Sequence, residues 1–147
     1  MDTLTQVEAD ALLALEKRRQ DETVWLLPDE GNRLSIPIVS LDGREAFLLD
    51  ISRSRIVLEK GTYQHRARKT VILARLDFGG PPHRNPDDQE VGGTHLHVYR
   101  EGYGDRWAFP VSPAQFPDTN DRWLMLHNFI SFCNIVQAPH LQRGLFS

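Results

Sequence analysis

The spacing of apolar and polar positions changes period along the chain. Leu4, Val7, Ala11, Leu12 and Leu15 fall near helical spacing, and Thr5 followed by Glu8 has the pattern of a capping box, in which each side chain covers the other's free backbone N–H. An amphipathic helix is therefore expected over residues 5–19, with Lys17, Arg18 and Arg19 complementing the negative end of its dipole. From Thr23 the period falls to two. Val24 to Leu27 is a short apolar run closed by Pro28. Leu34, Ile36 and Ile38 alternate with Ser35, Pro37 and Val39, and Pro37, which has no N–H to donate, predicts an edge strand. Asp42-Gly43 signals a hairpin that returns along Arg44 to Ile51, and Ile56 to Leu58 reads as a further short strand.

Thr70 to Phe78 is the most apolar segment and is expected as a central strand, with Arg75 and Asp77 on one face near its end. Gly79-Gly80-Pro81-Pro82 stops it. Thr94 to Arg100 and Arg106 to Val111 predict a second hairpin around a glycine-containing loop. Asp118, Thr119 or Asn120 is placed to cap a last helix over about residues 120–135, with Trp123, Leu126, Ile130 and Cys133 facing inward. The tail from Gln137, polar but for Leu145-Phe146, predicts no element. The expected fold is α+β: one domain over residues 1–147, a mostly antiparallel twisted sheet of five to six strands, and an N-terminal and a C-terminal helix.

Composition narrows the function classes. The formal net charge of −3 gives no global basic field, yet Arg53 to Lys69 holds six basic residues against Glu59 alone. A local basic stripe, Arg66, Arg68 and Lys69, is thus available to hold phosphate, or to keep an edge strand solvated. Cys133 is the one cysteine, so neither an internal disulfide nor a multi-cysteine zinc site forms, and a reducing, cytoplasmic setting is expected. No apolar run reaches membrane-spanning length, so no membrane partner is expected.

Candidate chemistry concentrates between Asp77 and Trp107, which holds three of the six histidines. On a strand, His95, His97 and Tyr99 would share one face and Leu96 and Val98 the other. Imidazoles side by side divide the roles of general base and acid near neutral pH. His83, Arg84, Arg100 and Arg106 are close in sequence, and Tyr103, Trp107 and Phe109 offer rings on which bases stack, or which pack the hairpin. His83, His95 and His97 with Asp77 also have the donor types of a zinc site. With no H-E-x-x-H and no cysteine cluster, the expectation carried forward is free of metal and of any cofactor.

The segments D-F-G-G-P-P-H-R-N-P, H-L-H-V-Y-R-E-G-Y-G-D and F-C-N-I-V-Q resemble those of a family of small uncharacterised bacterial proteins. More distantly, the order of elements from Thr70 to Asn134 resembles the TumE-like and RelE-like ribonucleases of toxin–antitoxin modules. That resemblance implies a metal-independent endoribonuclease, or a nucleic-acid-directed toxin of a toxin–antitoxin or phage-defence system. Its site is matched here by His83, Arg84, His95, His97, Tyr99 and Arg100, with His83, His95, His97 and Tyr99 as the expected catalytic residues; Arg106 and the basic stripe Arg66, Arg68 and Lys69, read from the local charge, join Arg84 and Arg100 as expected phosphate ligands. RNA and a cognate antitoxin or other protein are the implied partners. The alternatives are a non-enzymatic protein-binding module and a metal-dependent hydrolase. Whether His83, His95 and His97 converge in a cleft with basic walls or scatter separates the ribonuclease from a binding module.

Overall fold

A computed structural model describes residues 3–29, 31–54 and 60–143. The strand expected at Ile56 to Leu58 and the Leu145-Phe146 pair lie outside the described residues. In chain order the elements are α1 (Gln6–Ala14), β1 (Lys17–Arg19), β2 (Val24–Leu26), β3 (Arg33–Ser40), β4 (Ala46–Arg53), β5 (Gly61–Ala67), β6 (Val71–Phe78), β7 (His83–Arg84), β8 (Glu90–Val91), β9 (His95–Val98), β10 (Ala108–Pro110), α2 (Arg122–Phe132), β11 (Ile135–Gln137) and β12 (His140–Gln142). Eight strands form an open sheet in the order β10-β9-β6-β5-β4-β3-β1-β11. All its pairs are antiparallel except β1 with β11. β2 and β12 make a separate parallel ribbon, and β7 and β8 a small hairpin. The alternating pattern thus predicts the sheet and underestimates its width.

The two faces of the sheet differ in kind. Phe47, Leu49, Ile51, Tyr63, Leu76 and Phe78 point to one side and are buried with Leu12, Met125, Leu126, Phe129 and Ile130 from the two helices. Each such side chain contributes roughly 1.5–3 kcal/mol by leaving water. The other face is polar. On it the Asp50 carboxylate accepts from Arg66 Nε (2.6 Å) and Nη2 (2.9 Å), Ser35 Oγ (2.7 Å) and Gln64 Nε2 (2.7 Å), and it pairs with Arg33 at 3.1 Å. The binary pattern alone places helices over the first face and leaves the second accessible.

Four expectations are corrected. The first helix ends at Ala14, and Lys17–Arg19 is a strand. The Lys17 side chain is fully buried because its Nζ donates to the carbonyls of Leu13, Leu15 and Cys133 (2.8 Å each), serving the C-terminal ends of both helices at once. The helix buries Ala9 and Leu12, and Leu4 just before it is buried too, while Val7 is 80% exposed. Pro37 lies on an internal strand, but β1 pairs only with Ile38, Val39 and Ser40, so the missing N–H falls just past the end of that partner. The Asp42-Gly43 turn is wider than two residues, with Gly43 at φ 76° and β4 starting at Ala46.

The fourth correction concerns Tyr99. A bulge between His65 and Arg66 shifts the pairing of β5 with β6, and Leu73 and Ala74 are consecutively buried. Alternation slips by one at such a point. The Tyr99 N–H donates to the carbonyl of Leu73, and its side chain is buried away from the histidine row; its hydroxyl accepts from Leu4 N (3.0 Å) and donates to Leu4 O (2.6 Å). It therefore ties the start of α1 to the sheet.

Candidate functional site

Register builds the site. β9 lies against β6 with His95 opposite Asp77 and His97 opposite Arg75, so two imidazoles face a carboxylate and a guanidinium on the polar side of the sheet. His83 comes from the β7–β8 hairpin, whose Asn85-Pro86-Asp87-Asp88 turn places Pro86 where a fixed φ is favoured. Asn85 pins that hairpin over β10, donating from Nδ2 to Ala108 O (2.9 Å) and accepting from Ala108 N (2.8 Å). Gly93 lets the loops after β6 and before β9 close together, since a Cβ there would lie 2.7 Å from the carbonyl oxygen of Gly80. The chain from Tyr99 to Trp107 then folds back through Gly102 and Gly104, both at positive φ.

The three histidines converge. One ring nitrogen of each lies within 4.8 Å of those of the other two, and the ring centroids are 5.5 Å (His83–His95), 4.6 Å (His83–His97) and 4.9 Å (His95–His97) apart. Each ring donates one N–H to a backbone carbonyl: His83 Nε2 to Arg106 O (2.8 Å), His95 Nδ1 to Gly92 O (2.7 Å) and His97 Nδ1 to Asp105 O (2.7 Å). A carbonyl only accepts, so in the neutral form of each ring Nδ1 of His83 and Nε2 of His95 and His97 carry the lone pairs. His97 is fully buried, His95 is 3% exposed, and His83 is half-buried at the mouth.

Asp77 completes the inner wall. Its Oδ2 lies 3.2 Å from His97 Nε2 and 3.5 Å from His95 Nε2. Arg75 grips Asp77 through Nε and Nη2, places Nη2 3.1 Å from His97 Nε2, and pairs with the Asp105 carboxylate. Burial alone would raise the Asp77 carboxyl; contacts with His97 and Arg75 outweigh it and hold the group at about 2. Burial likewise pushes the His95 imidazole down, against the hydrogen bond to Gly92. The open side is a cleft of about 230 Å³ bounded by Lys60, Thr62, Asp77, His83 and His95. The Thr62 hydroxyl donates to Asp77 Oδ1 (3.1 Å).

The basic residues divide. Arg106 and Arg100 lie on the loop behind the histidines, Arg100 over the Trp107 ring (4.4 Å) and Arg106 over Tyr103 (5.8 Å). Arg84, on the histidine hairpin, pairs with Glu90 on the surface. Arg66 belongs instead to the Asp50 network, and Arg68 and Lys69 form the left-handed turn after β5. Arg66 is opposite Ile72 whereas His97 is opposite Arg75, which puts them roughly 14 Å apart across two strands. The stripe expected to hold phosphate is thus not part of this cleft. Lys60, Thr62 and Asp105 carry no motif of their own; only the fold brings them to it. Of the remaining histidines, His65 is buried against Phe47, its pKa pushed down to about 3 by burial and by Lys17. His127 packs on Trp123, and His140 pairs with Glu22.

No helix among the described residues is long and apolar enough to cross a membrane. No curated protein and no solved structure matches the chain. A family model does match, over residues 4–135, and this span includes every residue of the cleft. The chain therefore belongs to a family of unknown function, DUF6978.

Proposed function

We propose that the His83–His95–His97 cleft is the active site of a hydrolase that cleaves phosphodiesters in single-stranded RNA. The observation that carries this reading is the convergence of three imidazoles, two from β9 and one from the β7–β8 hairpin, at one half-buried cleft. A pure docking surface has no need of it. Lys60 also lines the cleft, and its positive charge suits a phosphate that gains negative charge in a transition state. The neighbouring loop presents Tyr103 and Trp107 edge to face under Arg100 and Arg106, a surface on which unpaired bases stack. In the metal-free form of this reading His95 and His83 share the roles of base and acid, and the protein acts as a toxin of a toxin–antitoxin or phage-defence system with a protein antagonist as partner.

The test is incubation of the full chain with end-labelled single-stranded RNA. Cleavage is expected, lost in His95→Ala and retained in Tyr99→Phe, whose hydroxyl serves only Leu4; far-ultraviolet circular dichroism checks that both variants fold. Intact RNA with the wild-type protein removes the hydrolase reading. In its favour the binding-module reading has Val24 and Leu26, each 60% exposed on the β2–β12 ribbon. It requires instead a stable protein complex that Val24→Asp and Leu26→Asp abolish.

A further inference from the structure

We infer that His83, His95 and His97, with Asp77 beside them, form a binding site for one divalent transition-metal ion of the zinc class. The inference deepens the hydrolase reading by naming its cofactor, and it rests on that reading only for what the ion does once bound.

Spacing is the first argument. Zinc–nitrogen bonds of 2.0–2.1 Å in a tetrahedron hold donor atoms about 3.3 Å apart and the centroids of imidazole rings about 5 Å apart. The observed centroid separations are 4.6, 4.9 and 5.5 Å, and Asp77 Oδ2 lies 3.2 and 3.5 Å from Nε2 of His97 and His95. Side chains from β6, β9 and the β7–β8 hairpin therefore stand close to ligand distance before any ion arrives.

Protonation is the second. Every ring has its N–H anchored on a carbonyl, the outer arrangement that directs the other nitrogen's lone pair at a metal. When those rings are neutral, the lone pairs of His95 Nε2 and His97 Nε2 and the charge of Asp77 Oδ2 face one another, and either a proton on His97 Nε2, donated to Asp77, or a metal ion between them relieves the crowding. Arg75 Nη2, 3.1 Å from His97 Nε2 and 3.2 Å from Asp77 Oδ2, fills that place in part and has Asp105 as a second anchor when an ion displaces it.

An ion held by the trio would supply Lewis acidity and an activated water, and imidazole donors select zinc, nickel, copper or iron over magnesium and calcium.

The experiment is calorimetric titration of metal-stripped full-length protein with Zn²⁺, without RNA, accompanied by the visible spectrum of the Co²⁺ form. One ion per chain is expected. His95→Ala should abolish binding and the Co²⁺ bands, and His83→Ala, at the half-buried mouth, should weaken affinity by more than the roughly 10–100-fold typical of removing an outer partner. His140→Ala, remote from the cleft, should bind as wild type. No stoichiometric binding, or wild-type affinity in both His83→Ala and His95→Ala, overturns the inference. The RNA assay stands apart: zinc binding without cleavage keeps the metal centre and removes the hydrolase, whereas cleavage that persists in EDTA keeps the hydrolase and overturns the metal's part in it.

Discussion

Replacing Asp50 with alanine is expected to cost about 1.5–3 kcal/mol of folding stability, the size typical of losing hydrogen bonds to a buried charged group. The carboxylate side chain is 3% exposed and is shared by Arg33 and Arg66 on the polar face. Its loss strands Arg66, and Arg66 also donates from Nη1 to the carbonyl of Lys69, holding the turn in which Arg68 and Lys69 take positive φ. Urea denaturation measures the loss, and a midpoint within experimental error of wild type would sink the account. Burial by itself would raise this carboxyl; hydrogen bonds from Arg66, Ser35 and Gln64 overcome that and hold it at about 2. A carboxyl depressed on folding stabilises fully above its unfolded value near 4, and the benefit fades as pH falls through 2. About 2–3 kcal/mol should therefore disappear between pH 4 and 2, and the wild-type and Asp50→Ala proteins should converge in stability there.

Lys17→Ala is expected to lose about 2–4 kcal/mol, from three carbonyls stripped of their donor and a void beneath Phe47, over whose ring Nζ sits at 4.9 Å. Lys17→Met should lose less, because it fills the space and removes a buried charge. The comparison has a definite pH signature. Burial lowers the Lys17 ammonium to about 8, below its unfolded value of 10.5, so between those limits the unfolded chain binds the extra proton and stability rises with pH. Burial pushes the Cys133 thiol and the Tyr63 phenol up, which lowers stability at high pH, but both groups are present in Lys17→Met and cancel in the difference. Wild type should therefore gain on Lys17→Met by up to about 3 kcal/mol from pH 8 to 10.5. A flat or falling difference would show that the ammonium is not buried as described.

These residues also show what the sequence makes legible. Alternation along Leu34 to Ile51 and Thr70 to Phe78 locates β3, β4 and β6, because a half-buried strand writes its two faces into successive positions. His95 and His97 on one face follow from the same rule. Lys17 misleads, since a charged residue after an amphipathic run reads as a solvated helix end unless the carbonyls that receive it are known. Tyr99 misleads because a bulge on the neighbouring strands slips the alternation, and nothing near Tyr99 records that. Asp105 and Lys60 gain meaning only through register and loop closure, which no local pattern encodes.

The parallel pairings that place Lys17 opposite Ile135 and Val24 opposite His140 set the order in which the molecule assembles. β3 to β6 are successive antiparallel neighbours joined by short connections, so they close small loops and can form early. β1 with β11 and β2 with β12 must wait until almost the whole chain has been gathered. These seams are the last to zip and the first to open, and native-state hydrogen exchange should find amides of the β2–β12 ribbon opening at lower free energy than those of β4 and β5. Slow protection along the ribbon, equal to that of the central strands, would contradict this order.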